Sequence, residues 1–122
     1  MKTKPLTKKE EEIMRVFWEQ PGPLGLVSLS RVLPEYNLNT MQVVLRKLKN
    51  TGFIKPVGVE DNGKTGTRTY AVCMGETDYM ALLVDDNQII PLAAKLIQSI
   101  PSKRDLDELM ELILEKEREL EN

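Results

Sequence analysis

Hydrophobic positions fall at helical spacing along most of this chain and turn strand-like only between residues 53 and 72. Ile13, Met14, Phe17 and Trp18 form an inward stripe that predicts a helix from Leu6 to Gln20, with Trp18 filling core space. Thr7 and Glu10 stand three residues apart, the spacing of a capping box in which hydroxyl and carboxylate satisfy each other's orphan amides. Glu11 and Glu12 add negative charge near the positive end of that helix. Pro21-Gly22-Pro23 stops it. A shorter helix is expected over Leu24–Leu33, with Leu26, Leu29, Val32 and Leu33 apolar and Pro34 as its end.

The third helical stretch organises the rest. Met41, Val44, Leu45 and Leu48 recur at i, i+3, i+4 and i+7, so one side of it must face a core. Asn37 offers an N-cap, Lys47 and Lys49 suit the last turn, and Gly52 sits where a left-handed stop belongs. The opposite side carries amides and a guanidinium: Asn39, Gln42, Arg46 and Asn50, with Val43 among them. Residues 53–60 then read as a strand, Asp61-Asn62-Gly63 as a turn, Lys64–Thr67 as a flexible tip, and Arg68–Val72 as a returning strand. Cys73, at the strand end, is expected to be a small buried hydrophobe.

From Gly75 onward the pattern changes. Thr77-Asp78 can cap a short helix through Tyr79, Leu82 and Leu83. Ile89 to Ile100 is densely apolar, and Ser102 with Asp105 is spaced to cap a final helix that ends in a charged, solvated run. Leu92, Leu96, Ile97 and Ile100 in the first of these, and Leu106, Leu109, Met110 and Ile113 in the second, are apolar positions in need of cover. So short a segment cannot close a core alone. It must pack back on the first part or pair with a second copy, and the number of apolar positions favours a two-fold dimer. The fold class expected is mainly α with a small β-hairpin: a winged helix-turn-helix domain over residues 1–74 and a helical dimerisation region over 75–122.

Composition narrows the chemistry. The chain has 122 residues, 41% of them hydrophobic and 30% charged, as in globular proteins, and no run approaches the ~18 apolar residues of a membrane span. No signal peptide is visible and a single cysteine allows no intrachain disulfide, so a cytoplasmic protein is expected. Histidine is absent, which removes His triads, His metal sites and His bases; one Cys cannot build a thiolate zinc site. No Gly-rich phosphate loop and no G-x-S-x-G occurs. Neither an enzyme nor a cofactor is expected. The net charge of −2 hides an asymmetry: residues 1–72 hold 12 Lys/Arg against 7 Asp/Glu, a balance of +5, and residues 73–122 hold 5 against 12, a balance of −7. A basic first part suits a polyanion.

These features point to double-stranded DNA as partner, with residues 38–50 in the major groove. Asn39, Gln42 and Arg46 are the candidates for base edges, since amides suit adenine and Arg suits guanine, and Val43 can meet a thymine methyl. Ser28, Arg31, Thr40, Lys47 and Lys49 are the candidates for phosphates, and Lys64 and Arg68 for anchoring the wing. The rival reading is a winged-helix module that docks protein through the same helix or the acidic tail.

Two segments carry a family likeness. Leu6-Thr7-x-x-Glu10-x-Glu12-Ile13-Met14-x-x-x-Trp18 resembles the opening helix of the penicillinase-repressor (BlaI/MecI-type) family. Thr40-Met41-x-x-x-Leu45-x-x-Leu48-x-x-x-Gly52-x-Ile54 resembles that family's recognition helix and the start of its wing, and Ser102-x-x-Asp105-Leu106-x-Glu108-Leu109 its last helix. The resemblance, over residues 5–72, implies a homodimeric repressor that binds operator DNA and dimerises through C-terminal helices. Asn39 stands where the family often has Lys, and the segment between Thr77 and Pro101 is shorter than its counterpart. Family members that answer β-lactams are cleaved at an Asn-Phe bond, and this chain has no Asn-Phe pair, so a sensor protease is not supported. The paired cysteines of the copper-responsive branch are also missing.

Overall fold

The computed structural model describes residues 4–61 and 66–122. Along the chain run α1 (Lys8–Glu19), β1 (Leu24–Gly25), α2 (Leu26–Val32), α3 (Leu38–Asn50), β2 (Ile54–Asp61), β3 (Gly66–Val72), α4 (Glu76–Leu82), a 3-10 turn (Asp86–Gln88), α5 (Ile89–Gln98) and α6 (Lys103–Glu121). The fold is mainly helical with one small antiparallel sheet. Two compact units divide at Leu83/Val84.

In the first unit, α1 starts with the reciprocal capping box. The Glu10 amide donates to Thr7 Oγ1 at 3.2 Å, and the Thr7 amide donates to Glu10 Oε1 at 2.8 Å. Helix α3 is capped by Asn37, whose Oδ1 accepts from the Asn39 amide at 2.7 Å. Its end is a Schellman stop. Gly52 takes φ +85°, the Phe53 amide returns to the Leu48 carbonyl at 2.9 Å, and the Gly52 amide to the Lys49 carbonyl at 3.2 Å. These local bonds fix where α3 ends and aim Phe53 and Ile54 into the core, where both are buried.

The sheet has three strands in the order β1-β3-β2, one more than a hairpin. Leu24 pairs with Tyr70 and Gly25 with Thr69, so the helix expected from Leu24 begins two residues later, at Leu26. Leu24 reaches the core from an extended backbone, and a strand of two residues is too short to leave a periodic signal. On the other side, β2 is an edge strand, which tolerates Pro56 with its missing N–H. The register slips by one between Pro56 and Gly58, leaving Val57 as the extra residue of a bulge.

The core joins Ile13, Met14 and Phe17 of α1, Leu29 of α2, Met41, Leu45 and Leu48 of α3, and Ile54 of β2. It also includes Tyr79 of α4. The Tyr79 hydroxyl accepts from the Leu6 amide at 2.7 Å, its ring stacks on Trp18 with centroids 5.8 Å apart, and Phe53 meets it edge-on at 5.6 Å. Trp18 is partly buried and donates from Nε1 to the Met74 carbonyl at 2.9 Å. Helix α4 therefore packs with the first unit, beyond the change in composition near residue 74. Its N-cap is Gly75, and Thr77 and Asp78 lie inside it instead of capping it. Cys73 is exposed, not buried as its strand-end position suggested, because β3 has already reached Val72 at the rim of the sheet.

The second unit holds α5 and α6. Ser102 Oγ accepts from the Asp105 amide at 3.2 Å and starts α6. Neither helix contains a buried residue. Among the described residues no helix is long and apolar enough to cross a membrane.

Candidate nucleic-acid interface

Four side chains stand on the outer face of α3, at the same periodicity as its core stripe but on the other side. Asn39, Gln42, Val43 and Arg46 occupy i, i+3, i+4 and i+7 and are all exposed. Val43 is 61% exposed, which for a valine on an otherwise well-packed helix marks a face the first unit leaves bare. None of the four makes a side-chain hydrogen bond or ion pair among the described residues.

The wing turns this face into one wall of a groove. Gln42, Arg46 and Lys49 of α3 meet Leu26 of α2 and Thr67, Arg68 and Tyr70 of β3 around a concavity of about 320 Å³, with Leu45 at its floor. Three cations line it and, among the described residues, no carboxylate does. Thr67, which lines the same groove, has its Oγ1 buried without a hydrogen-bond partner among the described residues. Grouped positive charge on low-dielectric walls concentrates a field that attracts a polyanion.

The remaining candidates are scattered. Arg31 is exposed in the last turn of α2, and Thr40 is half-buried on the flank of α3. Lys47 points back toward α1, with Nζ 3.2 Å from Glu10 Oε2. Ser28 is engaged within the unit: its Oγ accepts from the Gly25 amide at 2.8 Å and lies 3.0 Å from Glu60 Oε2, to which it donates. Lys64 lies outside the described residues.

The Lys47–Glu10 pair has a measurable consequence. Burial pushes the Glu10 carboxyl up, but the Thr7 amide, the Lys47 ammonium and the Thr7 side chain together outweigh it and hold the carboxyl below its ordinary 4.5. A depressed carboxylate pKa stabilises the fold above the unfolded value, and that stability is lost as pH falls through the folded value. Glu10→Gln keeps an acceptor for the Thr7 amide and removes only the charge, so it should lower stability by up to about 1 kcal/mol at neutral pH, the scale of one carboxylate at a helix N-terminus. The gap from wild type should close well below 4.5. Paired thermal melts at the two pH values check this; a pH-independent gap would assign the loss to packing instead. On the far side of α1, the Tyr36 hydroxyl donates to Glu12 Oε2, and burial, that bond and the charges of Glu12 and Glu35 push the Tyr36 pKa to about 12. The link between α2 and α3 is thereby tied to α1.

Sequence reasoning found the α3 stripe but missed the partners the wing brings to it, Thr67 and Tyr70, and missed Glu60. No short-range signal joins Tyr70 to Arg46. An alternating strand after a capped helix was the only pointer.

No family model matches the chain, and no curated protein matches it. Among solved structures, that of AbfR in a disulfide-formed state is similar, with 18% sequence identity and a TM-score of 0.46, over 95% of this chain and 70% of that one. A likeness this shallow transfers nothing from one protein to the other.

Proposed function

We propose that the chain binds double-stranded DNA, with α3 in the major groove and β2–β3 as a wing along the backbone. The observation that carries this reading is the bare stripe of Asn39, Gln42, Val43 and Arg46 beside a groove lined by Arg46, Lys49 and Arg68. Asn39 and Gln42 read adenine, Arg46 reads guanine through its fork of donors, and Val43 meets a thymine methyl. Lys49, Arg68, Thr40 and Arg31 hold phosphates. Lys47 contributes less, because Glu10 already neutralises it, and Ser28 drops out because its hydroxyl is spent inside the unit.

The bare apolar sides of α5 and α6 support a homodimer through Leu92, Leu96, Ile97, Ile100, Leu106, Leu109, Met110 and Ile113. A two-fold dimer reads a pseudo-palindrome with half-sites about one helical turn, ~34 Å, or a multiple of it apart. Repression by covering a promoter is the role suggested by the likeness of residues 5–72 to the penicillinase repressors. Neither a cofactor nor catalysis enters this reading.

Titration against mixed-sequence duplex at two salt concentrations tests it. Affinity should fall as salt rises, by about 0.9 log units per log of salt for each phosphate neutralised. Absence of binding even at low salt would reject DNA and favour a protein-docking module. Once a preferred duplex is selected from a random pool, Arg46→Ala should weaken binding by about 1–3 kcal/mol and relax selectivity at one base pair. An equal loss on every sequence would move Arg46 from base reading to a phosphate role.

A further inference from the structure

We infer that Glu60 is the latch that holds the wing against the start of α2 and so sets the groove between α3 and β3. The N-cap of α2 is Gly25, which has no side chain with which to cap it. The orphan amides are met from 33 residues away. Glu60 Oε1 accepts from the Val27 amide at 2.9 Å and the Ser28 amide at 3.3 Å, while Glu60 Oε2 accepts from Ser28 Oγ at 3.0 Å. A carboxylate at the positive end of a helix gains from both the hydrogen bonds and the local field.

Gly25 is shaped to this arrangement. A Cβ built there would lie 2.5 Å from Glu60 Oε1 and 2.7 Å from the Arg68 carbonyl, so any larger residue would displace both the carboxylate and the β3 backbone beside it. Glu60 pairs with Thr67 across the hairpin, next to the pair of Val59 with Arg68. A single carboxylate thus ties the stem of the wing to α2, and the same rungs of the ladder place Thr67 and Arg68 opposite Arg46 and Lys49. Glu60 is a positioning residue: it lines neither the groove nor the α3 stripe.

The consequence for DNA rests on the reading proposed above, and it runs against simple electrostatics. Removing a negative charge beside a polyanion site should tighten binding if repulsion were the only role of Glu60. A latch predicts the opposite. Glu60→Ala should weaken duplex binding about tenfold, with a salt slope shallower by about 0.9, the share of the one phosphate that a well-placed Arg68 neutralises. Glu60→Gln, which keeps a carbonyl acceptor for the two amides, should stay within about threefold of wild type. In the free protein, hydrogen exchange at the Val27 and Ser28 amides should speed up in Glu60→Ala while the α3 amides keep their protection. Gly25→Ala, which displaces the carboxylate with its charge intact and also presses on the Arg68 carbonyl, should speed exchange at the same two amides and weaken duplex binding at least as much as Glu60→Ala. Unchanged exchange at Val27 and Ser28, or duplex binding as tight as or tighter than wild type in Glu60→Ala, overturns the latch. If the wild-type chain binds no duplex at low salt, the DNA reading fails by itself, and amide exchange alone then decides for or against the latch.

Discussion

Tyr79→Ala should cost about 3–5 kcal/mol, as truncation of a buried aromatic does. That is a large share of the ~5–15 kcal/mol that hold a small domain folded. Tyr79 is only 6% exposed. It closes one side of the first unit by stacking on Trp18, meeting Phe53 and receiving the Leu6 amide. Phe53 follows the Schellman stop of α3, so a cavity at Tyr79 would loosen the seat of α3 itself. Tyr79→Phe separates the two parts of the effect. The ring stays, the Leu6 amide loses its acceptor, and a loss of about 1 kcal/mol remains. Urea unfolding of the wild type and both variants measures the pair. A loss under about 1 kcal/mol for Tyr79→Ala would mean that α4 lies on the first unit without belonging to its core.

What could be read directly from the amino acids was local. The Thr7–Glu10 box, the Asn37 cap and the stop at Gly52 each depend on residues within a turn or two, and all three are present. The periodicity of α3 separated its two faces correctly, since Met41, Val44, Leu45 and Leu48 are buried and Asn39, Gln42, Val43 and Arg46 are not. Distant pairings left no such trace. Strand β1 is two residues long and exists because Tyr70 and Thr69 offer it an edge. Tyr79 sits among residues of the acidic half of the chain, yet its partners Leu6 and Trp18 lie in the basic half. Lys47 reads as a free cation at the end of a helix until α1 brings Glu10 beside it. Glu60 reads as a solvated residue in a strand of mixed charge until the bulge at Val57 and the start of α2 are placed around it. The groove depends on these non-local pairings, which is why its α3 wall was legible and its wing wall was not.

Leu96→Asp combined with Ile113→Asp should convert the proposed dimer to monomer and lower affinity for a duplex with two half-sites by about 10²-fold or more. Once one half of a dimer is bound, the second half-site is engaged at high effective concentration, and an avidity of about 10²–10⁴ is the usual scale of that gain. The substitutions target the apolar surface of the second unit. Leu96 of α5 is 59% exposed and Ile113 of α6 is 49% exposed, on two helices that bury no residue of their own. Monomeric proteins rarely leave so much apolar surface to water, and a second copy of the same surface is the commonest cover. Placing carboxylates there opposes association twice, through desolvation and through the acidity already present in α6. The first unit holds neither position, so its unfolding transition and its affinity for a duplex with one half-site should match wild type. Sedimentation equilibrium paired with titrations on one-site and two-site duplexes reads all of this. A wild-type chain that sediments as a monomer, or a double variant that still sediments as a dimer, would show that these faces are covered by something other than their own copy.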